Sequence, residues 1–128
     1  MKNMSLNELS LLVQVDGNVV FQSTGKWLYP LFDLEEYLTS HPIDLTKAKL
    51  FDKVVGKASA LLMARLGVSC VHGAIMSKLA MEVLKHHNVT YSYDEVVERI
   101  SCQTELLLAT IDDLDEAYQI LCKRAQRC

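Results

Sequence analysis

The chain has 128 residues, half of them hydrophobic and 23% charged, with five Gly and two Pro. A chain of this size shares one hydrophobic core, so a single domain ordered from about residue 8 to about residue 125 is expected and a disordered or collagen-like chain is excluded. Thirteen Lys and Arg against sixteen Asp and Glu leave a net charge of −3, which provides no global attraction to nucleic acid or to an anionic membrane.

Residues 11–15 and 19–23 are short β-rich runs joined by Asp16-Gly17 and Asn18, the turn chemistry of a tight hairpin. Pro30 suits a first helical turn, which predicts a short helix over residues 31–38. Phe51, Val54, Val55, Ala58, Leu61 and Leu62 recur at three-four spacing and Gly67 follows, so the principal buried helix is expected to end at Leu66 and to start at either Asp44 or Asp52. Residues 68–76 carry no formal charge and read as an interior strand of a parallel sheet. Ser77 caps a helix over residues 78–87, a short strand covers 91–93, and a brief helix covers 94–100. Leu106-Leu107-Leu108-Ala109 reads as a further buried segment. Asp113 and Glu116 have capping-box spacing and open a last helix that ends near Ala125. This order predicts an α/β domain of three layers, a central mixed sheet opening with a β-hairpin and helices on both faces.

The longest apolar runs fall far short of the roughly 20 residues that cross a bilayer, and no secretory pattern opens the chain. A soluble cytoplasmic protein with no membrane contact is therefore expected. Cys70, Cys102, Cys122 and Cys128 form no Cys-x-x-Cys pair, which predicts free thiols. His41, His72, His86 and His87 begin no zinc signature, and no dinucleotide, P-loop or hydrolase-elbow motif occurs. No metal and no cofactor are expected.

The opening hairpin, Asp52-Lys53-Val54-Val55-Gly56-Lys57-Ala58, Gly73-Ala74-Ile75-Met76-Ser77, and Cys102 to Glu105 running into Ile111-Asp112-Asp113 resemble, in that order, the DUF1893 family of uncharacterised bacterial proteins. The resemblance runs over about residues 11–123. It implies a fold similar to that of cytidine deaminases and adds no activity. Zinc deaminases open one helix with His/Cys-x-Glu and the next with Pro-Cys-x-x-Cys. The corresponding starts here hold Asp52-Lys53-Val54-Val55-Gly56-Lys57 and Ser77-Lys78-Leu79-Ala80, which offer no soft metal ligands, so an active zinc deaminase is not expected.

With a helix starting at Asp52, first-turn amides together with Lys53 and Lys57, four apart on one face, would hold an anion, and Gly56 would let a ligand approach. The plain alternative is a solvated stripe of Lys49, Lys53 and Lys57 with Gly56 serving close packing. Cys102 at a helix start is the best nucleophile on offer, with Glu105 assisting, set against its being a small buried hydrophobe. His72 is either a base at the sheet edge or a hydrogen-bonded core residue. The leading expectation is binding of a small anionic or nucleotide-like metabolite at Asp52, Lys53, Gly56 and Lys57. A cysteine-dependent enzyme and a non-catalytic homodimer are the alternatives.

Overall fold

The computed structural model describes residues 9–100 and 107–128. Strands β1 (Leu11–Val15) and β2 (Asn18–Ser23) form the hairpin. Its turn places Asp16 and Gly17 at positive φ, 53° and 79°, the conformation that a two-residue turn matching strand twist requires and that Gly adopts without steric cost. Helix α1 (Tyr29–Ser40) follows, with Pro30 in its first turn, and is longer at both ends than expected.

The principal correction falls between Asp44 and Leu66. Asp44 caps only a 3-10 turn, Leu45–Lys47. Strand β3 (Ala48–Val55) comes next, and helix α2 (Lys57–Leu66) begins only after Gly56, its N-cap residue. Phe51, Val54 and Val55 therefore belong to a strand. Their spacing fits either period, and the β-branched pair together with a glycine that breaks the strand decides for β. Gly67, at φ 86°, closes α2 in the left-handed conformation.

Strand β4 (Cys70–Ser77) lies between β3 and β5 and runs parallel to both, as the sequence suggests, although only one of its faces is well buried. Ser77, fully buried, accepts the Ala80 amide through its hydroxyl and caps α3 (Lys78–His86). Strand β5 (Thr90–Val97) replaces both the short strand and the brief helix expected over 91–100. Tyr91, Tyr93, Val96 and Val97 favour an extended chain, and pairing with β4 outweighs the helical tendency of Asp94 and Glu95. Leu108 is fully buried and Leu107 is exposed. Asp113 accepts the Glu116 amide at the start of α4 (Leu114–Ala125), as the capping spacing implies.

The sheet order is β2-β1-β3-β4-β5, antiparallel on the hairpin side of β3 and parallel on the other. This is the expected α/β class with a mixed central sheet, consistent with an α/β/α sandwich. Helix α2 packs against α1, α3 and α4, and the core contains Leu11, Val13, Leu50, Leu61, Val71 and Met76. Leu50 and Val55 are five apart and both completely buried, so strict alternation breaks between them, at the stretch that carries Asp52, Lys53 and Val54. Val71 and Met76 repeat the pattern in β4.

The thiols are not all free. Cys122 in α4 is bonded to Cys128, with Cα atoms 5.2 Å apart, whereas Cys70 is a free thiol. The left-handed Gln126 behind α4 turns the chain back and brings the two cysteines together, a proximity that Cys-x-x-Cys spacing cannot report.

Candidate functional site

A cavity of about 540 Å³ opens where the β2–α1 loop, the end of β3 and the start of α2 meet. Asp52, Lys53, Gly56, Ser59, Lys26 and Trp27 are among its walls. It lies beyond the carboxyl end of β3, the strand where the sheet changes from antiparallel to parallel pairing. In open α/β sheets such a change of strand direction leaves a crevice that ligands use.

Each wall has a local origin. Gly56, in extended conformation, caps α2 without a side-chain hydrogen bond, so no side chain there covers the first-turn amides. Ser59, in that turn, is 6% exposed and lines the cavity. Trp27 sits at φ 55°, a left-handed conformation that strains a bulky residue by about 1 kcal/mol and tends to gather at binding sites. It packs edge-on against Tyr29 with ring centroids 5.4 Å apart.

Asp52 is half-buried, and removal from water raises its carboxyl from 3.8 to about 7, against the opposing effect of hydrogen bonds from the Val54 and Lys53 amides. Among the described residues it has no ion-pair partner. A carboxyl that loses its proton near neutrality beside a cavity is a recognised mark of a functional position.

Asp52 and Lys53 also line a second cavity of about 560 Å³, with Phe51, His72, Lys49 and Asp94. There His72 Nδ1 is 2.7 Å from Ser92 Oγ, and its Nε2 is 3.2 Å from Asp94 Oδ1. His72 is thus hydrogen-bonded, as one reading of the sequence has it, but its side chain is 24% exposed and is not in the core.

The structure divides the four residues expected to hold a ligand. Asp52, Lys53 and Gly56 share the first cavity. Lys57 turns away: its side chain is 7% exposed, its Nζ lies 3.2 Å from Asp112 Oδ1 and 3.5 Å from the Ala109 carbonyl, and it lines a smaller cavity of about 270 Å³ with His86 and His87. Lys53 and Lys57 are therefore not neighbours on one helical face, because one stands in β3 and the other in α2. Cys102 and Glu105 lie outside the described residues. Sequence reasoning missed Ser59, Lys26 and Trp27. The signal for Trp27 was a lone tryptophan in a loop beside Gly25 and Lys26, while Ser59 gave none within an apolar helix. Among the described residues no group of three or more His, Cys, Asp or Glu side chains is placed to hold a metal ion, and no helix is long and apolar enough to cross a membrane.

Fold and cavity together define an α/β protein with a mixed five-stranded sheet and a ligand-sized crevice where its strand direction changes. The chain belongs to the DUF1893 family, a domain of unknown function whose model matches residues 1–124. It is similar to a solved DUF1893 family protein from Thermotoga maritima, with a TM-score of 0.81 and 27% identity over 92% of this chain and 82% of that one. No curated protein matches it at a significant level.

Proposed function

We propose that this protein binds a small anionic metabolite in the first cavity, held by the first-turn amides of α2, the Ser59 hydroxyl and the Lys53 ammonium group. The observation that carries this reading is Ser59, a 6%-exposed serine in the wall of a cavity beside a helix start that no side chain caps. A serine hydroxyl in that wall can donate to a bound anion. Helix N-termini attract anions through their amides and dipole. Trp27, Leu28 and Val54 give the ligand's body an apolar wall, the usual composition of a small-molecule site.

The deaminase resemblance enters this reading as a scaffold without its metal chemistry, since Asp52 to Lys57 and Ser77 to Ala80 supply no thiolate or imidazole. A cytoplasmic location and a nucleotide-like ligand belong to the same proposal. Thermal-shift titration of the purified chain with inorganic phosphate and phosphorylated metabolites tests it. Stabilisation by phosphate that Ser59→Ala and Lys53→Ala each weaken supports the reading. No shift with any anion, or a shift in both variants as large as in the unaltered chain, overturns it.

A further inference from the structure

We infer that the second cavity receives a planar aromatic ring of the same ligand, stacked on Phe51 with His72 as the inclined wall beside it, so that the ligand class is a phosphorylated molecule with an aromatic base. This rests on the anion site proposed above and adds to it the other end of the molecule.

Three observations carry it. Phe51 and His72 are neighbours, their ring centroids 6.0 Å apart and their planes inclined at 50°, and together they line the cavity as two walls of a wedge. The His72 plane is fixed, because Ser92 Oγ engages one ring nitrogen and Asp94 Oδ1 the other. With both nitrogens occupied, the imidazole is a rigid apolar wall inclined to the Phe51 face, and a pre-positioned wall needs no ordering when a ring enters. Phe51 is half-buried, and its ring is covered by the flexible side chain of exposed Lys49, whose Nζ rests 5.1 Å from the centroid and which an entering ring displaces.

The two cavities share Leu9, Asp52 and Lys53 as common walls. Lys53 is exposed, so a ligand passes from one to the other over its side chain. Phe51 and Gly56 are five residues apart on one extended run, roughly 16 Å along the strand. A benzene ring esterified directly to phosphate is too short for that reach. A base joined to phosphate through a sugar and a second phosphate is long enough.

Isothermal titration of the full chain with inorganic phosphate, pyrophosphate, ribose 5-phosphate, phenyl phosphate, ADP and CDP tests this. The expected result is that ADP or CDP binds roughly 5- to 100-fold more tightly than pyrophosphate or ribose 5-phosphate, the range that one base–aromatic stack supplies. Phenyl phosphate should gain nothing over phosphate. Phe51→Ala should remove the gain while leaving ribose 5-phosphate affinity unchanged, and Phe51→Tyr should retain it. Should Phe51→Ala fail to fold, Phe51→Leu keeps the volume without the ring and should give the same loss. Binding of phosphates with no gain from the base overturns this inference alone, as does a gain that Trp27→Ala removes and Phe51→Ala does not. Absence of binding by every phosphate overturns the anion site as well.

Discussion

Asp52 stands directly across from Gly73 in the parallel ladder between β3 and β4, with Leu11 of β1 as its partner on the other side. Gly73 is necessary there for a steric reason. A Cβ at that position would lie 2.9 Å from Val55 Cγ2 and 3.3 Å from the Ile75 carbonyl oxygen.

Gly73→Ala should therefore destabilise the protein by about 1–3 kcal/mol, because Val55 is completely buried and cannot yield easily. Urea denaturation measures this. An unchanged midpoint would show that the strands separate freely at that point.

Asp52 should make stability fall as pH rises. Its folded carboxyl, raised from 3.8 to about 7, keeps a proton over a range where the unfolded chain has lost it. The contribution is full below about pH 4, declines between about pH 4 and pH 7, and is gone above that. Asp52→Asn should leave the melting temperature near pH 4 almost unchanged. At pH 8 it should stabilise by about 2 kcal/mol, a figure reduced for the carboxyl's remaining contact with water. Melting curves across that range check it. A parallel pH dependence in the variant would sink the assignment.

Lys57 and Lys53 should behave oppositely. Lys57→Met keeps the aliphatic bulk in its buried site but breaks the contact with Asp112, an exposed partner, so stability should drop by about 1 kcal/mol. Phosphate affinity should not move. Lys53→Ala should leave stability within about 0.5 kcal/mol and weaken phosphate several-fold. Paired denaturation and titration of the two variants separate these effects.

Glu35 of α1 joins the helices around α2. Its carboxylate pairs with Arg65 of α2 and accepts the Tyr118 hydroxyl of α4 at 2.8 Å, while the Arg65 guanidinium stacks 3.6 Å from the Tyr118 ring centroid. The hydrogen bond to Glu35 holds the Tyr118 hydroxyl above its usual titration range. Tyr118→Phe retains the stacking and loses only that bond, so a loss of about 1 kcal/mol is expected in chemical denaturation.

Reduction should expose two further thiols to alkylation in the denatured chain, those of Cys122 and Cys128, as mass spectrometry would count. Their loop is short, so Cys128→Ser should lower stability by no more than about 2 kcal/mol.

The hairpin, the Ser77 cap and the Asp113 cap were legible because each rests on side-chain chemistry a few residues long. The identity of β3 was not. Its apolar residues satisfy a helical spacing, and what makes it a strand is pairing with β1 and β4, contacts far away in sequence. The same error moved Lys53 and Lys57 onto one helix. Asp52, Lys53 and Gly56 nevertheless line one cavity, although the sequence reading puts Gly56 inside a helix and reaches these residues through a lysine pair that the structure separates. Ser59 stayed hidden, since its significance comes from burial, which a single serine in an apolar run does not reveal.

Because β3 joins a local antiparallel half to a crossover-built parallel half, the two halves should form at different speeds. The hairpin can zip within microseconds, whereas β3 must wait for α2 to bring β4 alongside. Substitutions in the hairpin and in β3 should therefore both slow refolding, because both are in place when β4 docks.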